Sequence, residues 1–139
     1  MKAISINSGF AALIAAGEKT IECRTWQTSH RGELLICSNR DIVSGTIPRH
    51  AICLCNLTNV RPFTRKDLDA ACMDGAEYQS GLYAWELEPI CSVVPFLVRG
   101  MPGVFDVDDT LIRRINEDLM TDEEIDETIE KYFTPLITA

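Results

Sequence analysis

Residues 17–24 read Gly17-Glu18-Lys19-Thr20-Ile21-Glu22-Cys23-Arg24, and they place charged side chains after an apolar run and within an alternating run. They follow a short apolar run in which Phe10, Leu13 and Ile14 recur at helical spacing, and Gly17 suits the left-handed residue beyond a helix end. From Thr20 to Arg24 apolar and polar residues alternate, which is typical of a strand with one buried face. The segment therefore predicts a helix, a turn that carries Lys19, and a strand.

Three charged side chains of this segment are predicted to lie close together. Two residues along a strand advance by about 7 Å, so Glu22 and Arg24 lie on one face, and Lys19 comes just before them. An arginine fork with a lysine ammonium can bind a phosphate or the edge of a nucleobase. The same groups can instead form an ion pair that fixes the helix to the strand on a solvated face. The spacing alone leaves both interpretations open.

Length and composition predict one packed domain. The chain has 139 residues, of which 46% are hydrophobic and 24% charged, so it can build a core and is not a disordered polymer. No stretch approaches the roughly 18 uninterrupted apolar residues of a membrane-spanning helix. The first residues lack the basic run and long apolar core of a signal peptide, so we expect a cytoplasmic protein without membrane contact.

The net charge of −8 comes entirely from the last quarter of the chain. Residues 1–105 carry ten basic and ten acidic side chains, whereas residues 106–139 carry three and eleven. An acidic protein is normally a poor partner for nucleic acid, but this objection applies to the tail and not to the body.

The cysteines and histidines do not predict a metal site. There is no C-x-x-C pair, and neither His30 nor His50 has metal-ligand spacing from a cysteine. We expect no metal and no cofactor, and six reduced thiols that behave mostly as small buried hydrophobes.

The remaining patterns predict a mainly β domain with flanking helices, of the α+β class. Short β-like runs occur at residues 2–6, 20–24, 33–37, 51–60, 82–87, 92–98 and 104–107, and a helix is predicted from Thr64 through Met73. Residues 1–107 thus form a body of about six strands, and residues 108–139 an acidic helical extension packed on the same domain.

The extension has two helical stripes. The first is formed by Leu111, Ile112, Ile115 and Leu119, and the second by Ile125, Ile129 and Phe133, with Thr121 and Glu124 as a capping box between them. Three roles remain open. The stripes can pack on the body through Leu111, Ile115, Ile125 and Ile129, they can bind a protein partner, or the acids can compete with phosphates for a nearby site.

The order of motifs resembles the ASCH (activating signal cointegrator homology) domain of the PUA-like superfamily. The match begins with Ser5-Ile6, a short helix and G-x-K-x-x-E-x-R, and continues with Trp26 and with His30-Arg31-Gly32 leading into a strand. It ends with Leu57–Pro62, Tyr83-Ala84-Trp85-Glu86-Leu87 and Gly103-Val104-Phe105, so it covers about residues 1–107. Gly9-Phe10 departs from the family, whose members often have Pro-Trp there.

The resemblance implies a PUA-like open β-barrel with a cleft lined by the motif, and RNA or a nucleoside or nucleotide as ligand. Its binding residues would be Lys19, Glu22, Arg24, Trp26, Arg31, Ser38 and Asn39. Trp26 can stack on a base or belong to the core, whereas Trp85 is predicted to be core. Ser38 and Asn39 can bind a base or only start a turn. Arg40 and Arg49, together with Arg31, Arg61, Arg65 and Lys66, can form a basic rim or be ordinary solvated loop residues.

The resemblance also implies an enzymatic alternative. One bacterial group with a similar motif hydrolyses the amide of N4-acetylcytidine with Lys, Thr and Glu, and other members are suggested to cleave RNA. The lysine of that group falls on Lys19, but its threonine position falls on Glu22. A hydroxyl would then have to come from Thr20, and a glutamate equivalent from Asp67, Asp69, Asp74 or Glu77. Lys19 and Glu22 would be the catalytic pair, by acid–base chemistry.

Overall fold

A computed structural model describes all 139 residues as a curled sheet with one helix packed on it. The strands are β1 Lys2–Ile6, β2 Ile21–Arg24, β3 Gly32–Ser38, β4 Ala51–Pro62, β5 Tyr83–Val93, β6 Phe105–Asp106 and β7 Arg114–Ile115. The helices are α1 Ser8–Ala15 and α2 Asp122–Thr128, and a π-helical turn, Ile129–Phe133, follows α2. The predicted mainly β fold of about six strands with a C-terminal helix is confirmed.

The sheet is mixed and has the order β2-β5-β4-β3-β1-β6. β1 lies parallel to β3, with Ala3 opposite Leu35, and the other pairs are antiparallel. β7 adds to β5 at Ser92 and Val93. The parallel pair is possible because α1 and β2 intervene between β1 and β3.

Alternation along the central strands buries both faces of the sheet. Ile4 and Ile6 point to one face, where α1 packs through Ala11 and Ile14, whereas Ala3 points to the opposite face. We name the cluster under α1 the inner core; it also contains Leu34, Ile36, Cys53, Cys55, Leu57, Trp85 and Leu87. The second cluster contains Leu35, Cys37, Leu54 and Val93. Such near-continuous apolar strands are expected when both faces are covered.

Helix α1 ends where its sequence predicts. Its N-cap lies one residue before the expected one. Asn7, rather than Ser8, is the N-cap, and its Oδ1 accepts a hydrogen bond from the amide of Gly9 at 2.8 Å. Gly17 has a φ of 79°, the left-handed conformation predicted for it.

All six cysteines are free thiols, as predicted. Cys37, Cys53 and Cys55 are buried, whereas Cys23, Cys72 and Cys91 are half-buried. Burial raises the pKa of the Cys37 thiol to about 12, so this group is an uncharged hydrophobe at neutral pH.

The strands expected at residues 82–87 and 92–98 differ in the structure. β5 runs without a break from Tyr83 to Val93, past Pro89, so it joins the first expected strand to the start of the second. The expected strand over residues 94–98 is wrong, because only an isolated bridge between His50 and Leu97 forms there. Pro89 lies opposite Cys55, directly beside a register shift that leaves Ile90 of β5 without a partner, and such a bulge is a place where a strand accepts proline.

The prediction of a helix from Thr64 through Met73 is wrong. Only one 3-10 turn, Arg65–Asp67, forms there, followed by irregular turns. Asp67 is buried and accepts hydrogen bonds from the amide of Thr64 at 2.8 Å and from Arg61 Nη1 and Nη2, both at 2.8 Å. Tertiary pairing to β4 therefore replaces helical propensity in this segment.

Asp67→Asn should lower the free energy of unfolding at pH 7 by about 2 kcal/mol. The Arg61 guanidinium lowers the pKa of Asp67 to about 2 from its usual 3.8. Because the folded pKa is depressed, the stabilisation is present above pH 4 and is lost as the pH falls towards 2. Urea unfolding at pH 7 and pH 2 measures both values. An equal loss at both pH values would contradict an electrostatic role of Asp67.

The C-terminal extension differs most from its prediction. Residues 111–119 form 3-10 turns and β7 rather than a helix, and only Ile115 of that stripe is buried. The second helix is present, and Thr121 and Glu124 form its capping box. Phe133 packs against the inner core, Ile125 is half-buried, and Leu111, Leu119 and Ile129 are exposed, Leu119 at 84%.

The last residues attach to a distant loop. The amide of Thr138 donates to the carbonyl of Thr46 at 2.9 Å, and the amide of Gly45 donates to the carbonyl of Thr138 at 2.9 Å. The tail is thereby held by backbone pairing as well as by the apolar contact of Phe133.

Candidate functional site

The turn after α1 places Lys19 inside the protein. The amides of Glu18 and Lys19 both donate to the carbonyl of Leu13, which fixes the path from the helix into β2. Lys19 is 2% exposed and Glu22 is 6% exposed. The charged motif is therefore not the solvated ion pair that was one interpretation of the sequence, but a buried pair, which needs compensating contacts.

Those contacts are present around Glu22. Its Oε1 lies 3.6 Å from Lys19 Nζ, and its Oε2 lies 3.3 Å from Arg24 Nη2. The backbone amide of Cys23 also donates to Oε1 at 3.1 Å. The carboxylate thus holds the lysine and the arginine in one cluster, which we name the motif triad: Lys19, Glu22 and Arg24.

Lys19 has two further partners. Its ammonium donates to the carbonyl of Ala71 and lies 4.5 Å from the centre of the Phe10 ring. Burial lowers the pKa of Lys19 below its usual 10.5, and the charge of Glu22 offsets part of that shift. Phe10, the residue that departs from the family pattern, therefore keeps an aromatic face against the cation.

Arg24 joins two strands that are far apart in the sheet order. Its Nη2 donates at 3.2 Å to the carbonyl of Ser5, near the end of β1. β6 pairs only with Lys2 and Ala3 of β1, so Ser5 lies outside that pairing. β2 is one edge of the sheet and β1 is the second strand from the other edge, after β6, so this contact joins the two sides of the curled sheet.

One donor of Arg24 has no partner in the protein. Its Nε is buried and makes no hydrogen bond, although the side chain as a whole is 26% exposed. A buried polar group without a partner is uncommon and costs stability, so it calls for an explanation such as a ligand.

The two tryptophans pack against each other. Trp85 is fully buried, as predicted, and its indole N–H donates to the carbonyl of Trp26 at 3.3 Å. The rings are 4.8 Å apart at an angle of 82°, an edge-to-face pair. Trp26 is half-buried against the inner core, so part of its side chain is exposed to solvent. It follows Arg24 by two residues in the chain.

The other predicted binding residues lie in two different places. Arg31 is exposed and donates to the carbonyls of Thr28 and His30, within its own loop. Ser38 and Asn39 instead line a cavity of about 700 Å³. The hydroxyl of Ser38 is hydrogen-bonded to the backbone of His50, and Asn39 Oδ1 accepts from the amide of Asp41, which is the turn role.

That cavity is not lined by the motif triad. The twelve lining residues include Ser5, whose carbonyl receives Arg24, so the two features are adjacent. Neither Ser5, which the sequence offered only as the start of the family match, nor Arg99 was predicted as a binding residue. Ser5 lies beside Ser38 because β1 pairs with β3, and the hydrogen bond from the Val98 amide to the Arg49 carbonyl brings the segment of Arg99 to the same place. These are long-range pairings, which a lone Ser or Arg in the sequence does not predict.

The basic rim expected from the sequence is only partly available to a ligand. Arg61 is held by Asp67 and Glu86, and Arg65 lies over the ring of Tyr78. Arg40 and Arg49 line the cavity.

Of the residues considered for hydrolysis, Glu22 contacts Lys19, whereas Thr20, Asp67 and Glu77 do not supply its polar partners. The polar partners of its ammonium are Glu22 and the carbonyl of Ala71, not the hydroxyl of Thr20. Asp67 is bound by Arg61, and Glu77 accepts from the amide of Asp74 in an exposed turn. No group of three or more His, Cys, Asp or Glu side chains is arranged to hold a metal ion, and neither helix has the length and apolarity to span a membrane.

A curled, mostly stranded half-barrel with one helix beside a buried lysine–glutamate–arginine cluster defines the class of this protein. The family model described as the ASCH domain matches residues 4–99, well over half of the chain. The chain therefore belongs to the ASCH domain family. This is a PUA-like fold whose members are generally RNA-binding.

Solved structures with the same fold come from Zymomonas mobilis. Its ASCH crystal structure is 14% identical, with a TM-score of 0.64 over 83% of this chain and 97% of that one. A serine-to-alanine variant is 15% identical, with a TM-score of 0.63 over 80% and 95% of the two chains. A tyrosine-to-phenylalanine variant is 14% identical, with a TM-score of 0.60 over 94% and 96%. No curated protein sequence matches the chain significantly.

Proposed function

We propose that the protein binds RNA, or a nucleotide-like part of it, at the motif triad. The unpartnered Nε of Arg24 carries this proposal, because it is a buried, permanently charged donor that a ligand oxygen would satisfy. The Arg24 side chain as a whole is 26% exposed, and the proposed ligand would approach along this exposed part.

The surroundings of Arg24 suit a phosphate or a base edge. Glu22 and the carbonyl of Ser5 hold one end of the guanidinium, which leaves the remaining N–H groups to point elsewhere. Lys19 adds positive charge behind Glu22, and the exposed part of Trp26 can stack on a base. Arg31, in the loop before β3, would contact the sugar-phosphate backbone of the RNA.

Arg24→Lys should weaken RNA binding by about tenfold, and Arg24→Gln by more, because lysine keeps the charge but loses the planar fork. Fluorescence anisotropy with a labelled single-stranded oligoribonucleotide of mixed sequence measures the affinity at two salt concentrations. Arg113→Gln is the matched control, since Arg113 is exposed in the tail and lies over Tyr132. Circular dichroism establishes that each variant is folded. Wild-type affinity in folded Arg24→Gln at both salt concentrations would refute the proposal.

A second candidate function is hydrolysis of N4-acetylcytidine or of RNA with Lys19 and Glu22. The observation in its favour is the buried Lys19, whose pKa is lowered and which lies 3.6 Å from a carboxylate. Incubation with N4-acetylcytidine and with labelled RNA, followed by chromatography, separates the candidates. Product that disappears in folded Lys19→Met would favour the enzyme, whereas retention of intact RNA favours binding.

A third candidate is a protein-interaction module. The exposed Leu111, Leu119 and Ile129 in an acidic tail are the observation that supports it. It would be favoured if the protein neither retained RNA nor released product in the same experiment.

A further inference from the structure

Three arginines converge on the cavity next to the motif triad. Arg40 and Arg49 come from the connection between β3 and β4, and Arg99 comes from the segment after β5. They are separated by up to 59 positions in the chain and meet only in the folded protein. The cavity measures about 700 Å³, a size typical of small-ligand sites.

None of these three arginines has an ion-pair partner. The arginines that do are Arg24, Arg61 and Arg114. The only acid that lines the cavity is Asp41, which leaves the lining with two net positive charges in a protein of net charge −8. Uncompensated like charges repel each other, so their convergence favours an anion between them.

The backbone of Arg49 gives a second, independent observation. Its φ is 62°, a left-handed conformation that arginine rarely adopts. Two hydrogen bonds hold it there, because the Arg49 amide donates to the carbonyl of Asn39 at 3.0 Å and the amide of Val98 donates to the Arg49 carbonyl at 2.9 Å. Both partners line the same cavity. Strained residues of this kind concentrate at ligand sites, where the surrounding structure maintains them.

We propose that this cavity is a phosphate-binding subsite formed by Arg40, Arg49 and Arg99. Guanidinium groups bind phosphate oxygens through paired N–H donors. The exposed side chains of Leu97 and Met101, at 71% and 58%, supply apolar surface at its rim for a ribose or a base.

The subsite continues the motif triad, and in this respect the inference rests on the proposed function. Ser5 belongs to both, since its carbonyl accepts from Arg24 while its Oγ lies on the cavity side, beside Gly100. A ligand with its base at Arg24 would direct its phosphate past Ser5 towards the arginines. The phosphate can be that of a mononucleotide or of an RNA chain.

The test compares two double variants with the same change in net charge. Arg40→Gln/Arg99→Gln removes two charges from the cavity and spares the strained Arg49. Arg113→Gln/Lys131→Gln removes two from the tail, where both cations lie over Tyr132. Binding of a labelled single-stranded oligoribonucleotide is measured by anisotropy over a range of salt concentrations, and binding of cytidine and 5′-CMP by calorimetry.

For the RNA chain, the cavity variant should bind at least about tenfold more weakly, and its salt slope should be smaller by about 1.4, or 0.7 for each lost phosphate contact. If the phosphate belongs to a mononucleotide, 5′-CMP should bind more tightly than cytidine to the wild type and lose that advantage in the cavity variant. The tail variant should resemble the wild type in both cases. Equal RNA and 5′-CMP binding by the cavity and tail variants would overturn the subsite while leaving the proposed function intact.

A third measurement covers the case in which no nucleotide binds. Titration of inorganic phosphate into ¹⁵N-labelled protein should shift the side-chain Nε signals of Arg40, Arg49 and Arg99 and leave that of Arg113 unchanged. Such shifts without RNA binding would support the subsite and refute the proposed function. If neither inorganic phosphate nor RNA moves these signals, the subsite is refuted.

Discussion

Replacing Glu22 with glutamine should lower the free energy of unfolding by about 3–5 kcal/mol, the usual effect of removing one partner of a buried ion pair. Lys19 would then remain charged and buried without a counter-charge, with the carbonyl of Ala71, the Phe10 ring and a neutral amide oxygen as partners. Arg24 would lose its contact with Oε2 as well. Urea unfolding at pH 7 measures the change.

The loss should depend on pH in a direction that identifies Lys19 as its cause. Burial lowers the pKa of folded Lys19 below 10.5, and removal of Glu22 removes the charge that partly restores it. Between the lowered value and 10.5 the unfolded chain binds more protons than the folded one, so the stability of the variant rises with pH in that alkaline window. Below that window Lys19 is charged in both states, and the stability lost by the Glu22→Gln variant is largest.

Two control variants make this prediction specific. Glu33→Gln breaks the exposed pair of Glu33 with Arg114 and should cost less than about 1 kcal/mol. The double variant Lys19→Met/Glu22→Gln should be more stable than Glu22→Gln alone, because it leaves no unpaired ammonium inside. If Glu22→Gln costs no more than Glu33→Gln, the motif triad does not stabilise the fold.

Trp85→Ala should lower the free energy of unfolding by about 3–5 kcal/mol, the range for truncating a large buried aromatic side chain. Trp85 has no exposed surface, packs against Trp26 and donates to the Trp26 carbonyl. It also lies opposite Glu22 in the β2–β5 pair, so the cavity left behind opens beside the motif triad. Denaturant unfolding followed by circular dichroism gives the value.

Leu119→Ala is the control for this second variant. Leu119 is 84% exposed, and surface substitutions usually change stability by less than about 0.5 kcal/mol. A loss below about 1 kcal/mol for Trp85→Ala would mean that the inner core does not depend on this residue. Binding of labelled RNA by the folded Trp85→Phe variant then measures whether packing of Trp85 against Trp26, opposite Glu22, affects the affinity.

Local patterns predicted the parts of the fold that depend on neighbours in sequence. Gly17 is left-handed because the helix before it ends there, and Thr121 and Glu124 cap α2 because they are three residues apart. The segment 111–119 has the same helical spacing of apolar residues, yet it forms β7 because Arg114 and Ile115 pair with the end of β5. Strand pairing of that kind outweighs a weak intrinsic preference.

For the site, neighbouring residues are enough to predict which charges lie together, since side chains alternate along β2 and the turn at Gly17 places Lys19 beside it. Three features of the site depend on the folded protein. Lys19 and Glu22 are buried, Arg24 reaches Ser5 across the curled sheet, and Arg40, Arg49 and Arg99 line one cavity. The two kinds of feature differ in the distance along the chain over which the interactions act. Alternation and capping act over a few residues, whereas burial and charge convergence depend on which distant strands and loops the closed sheet brings together.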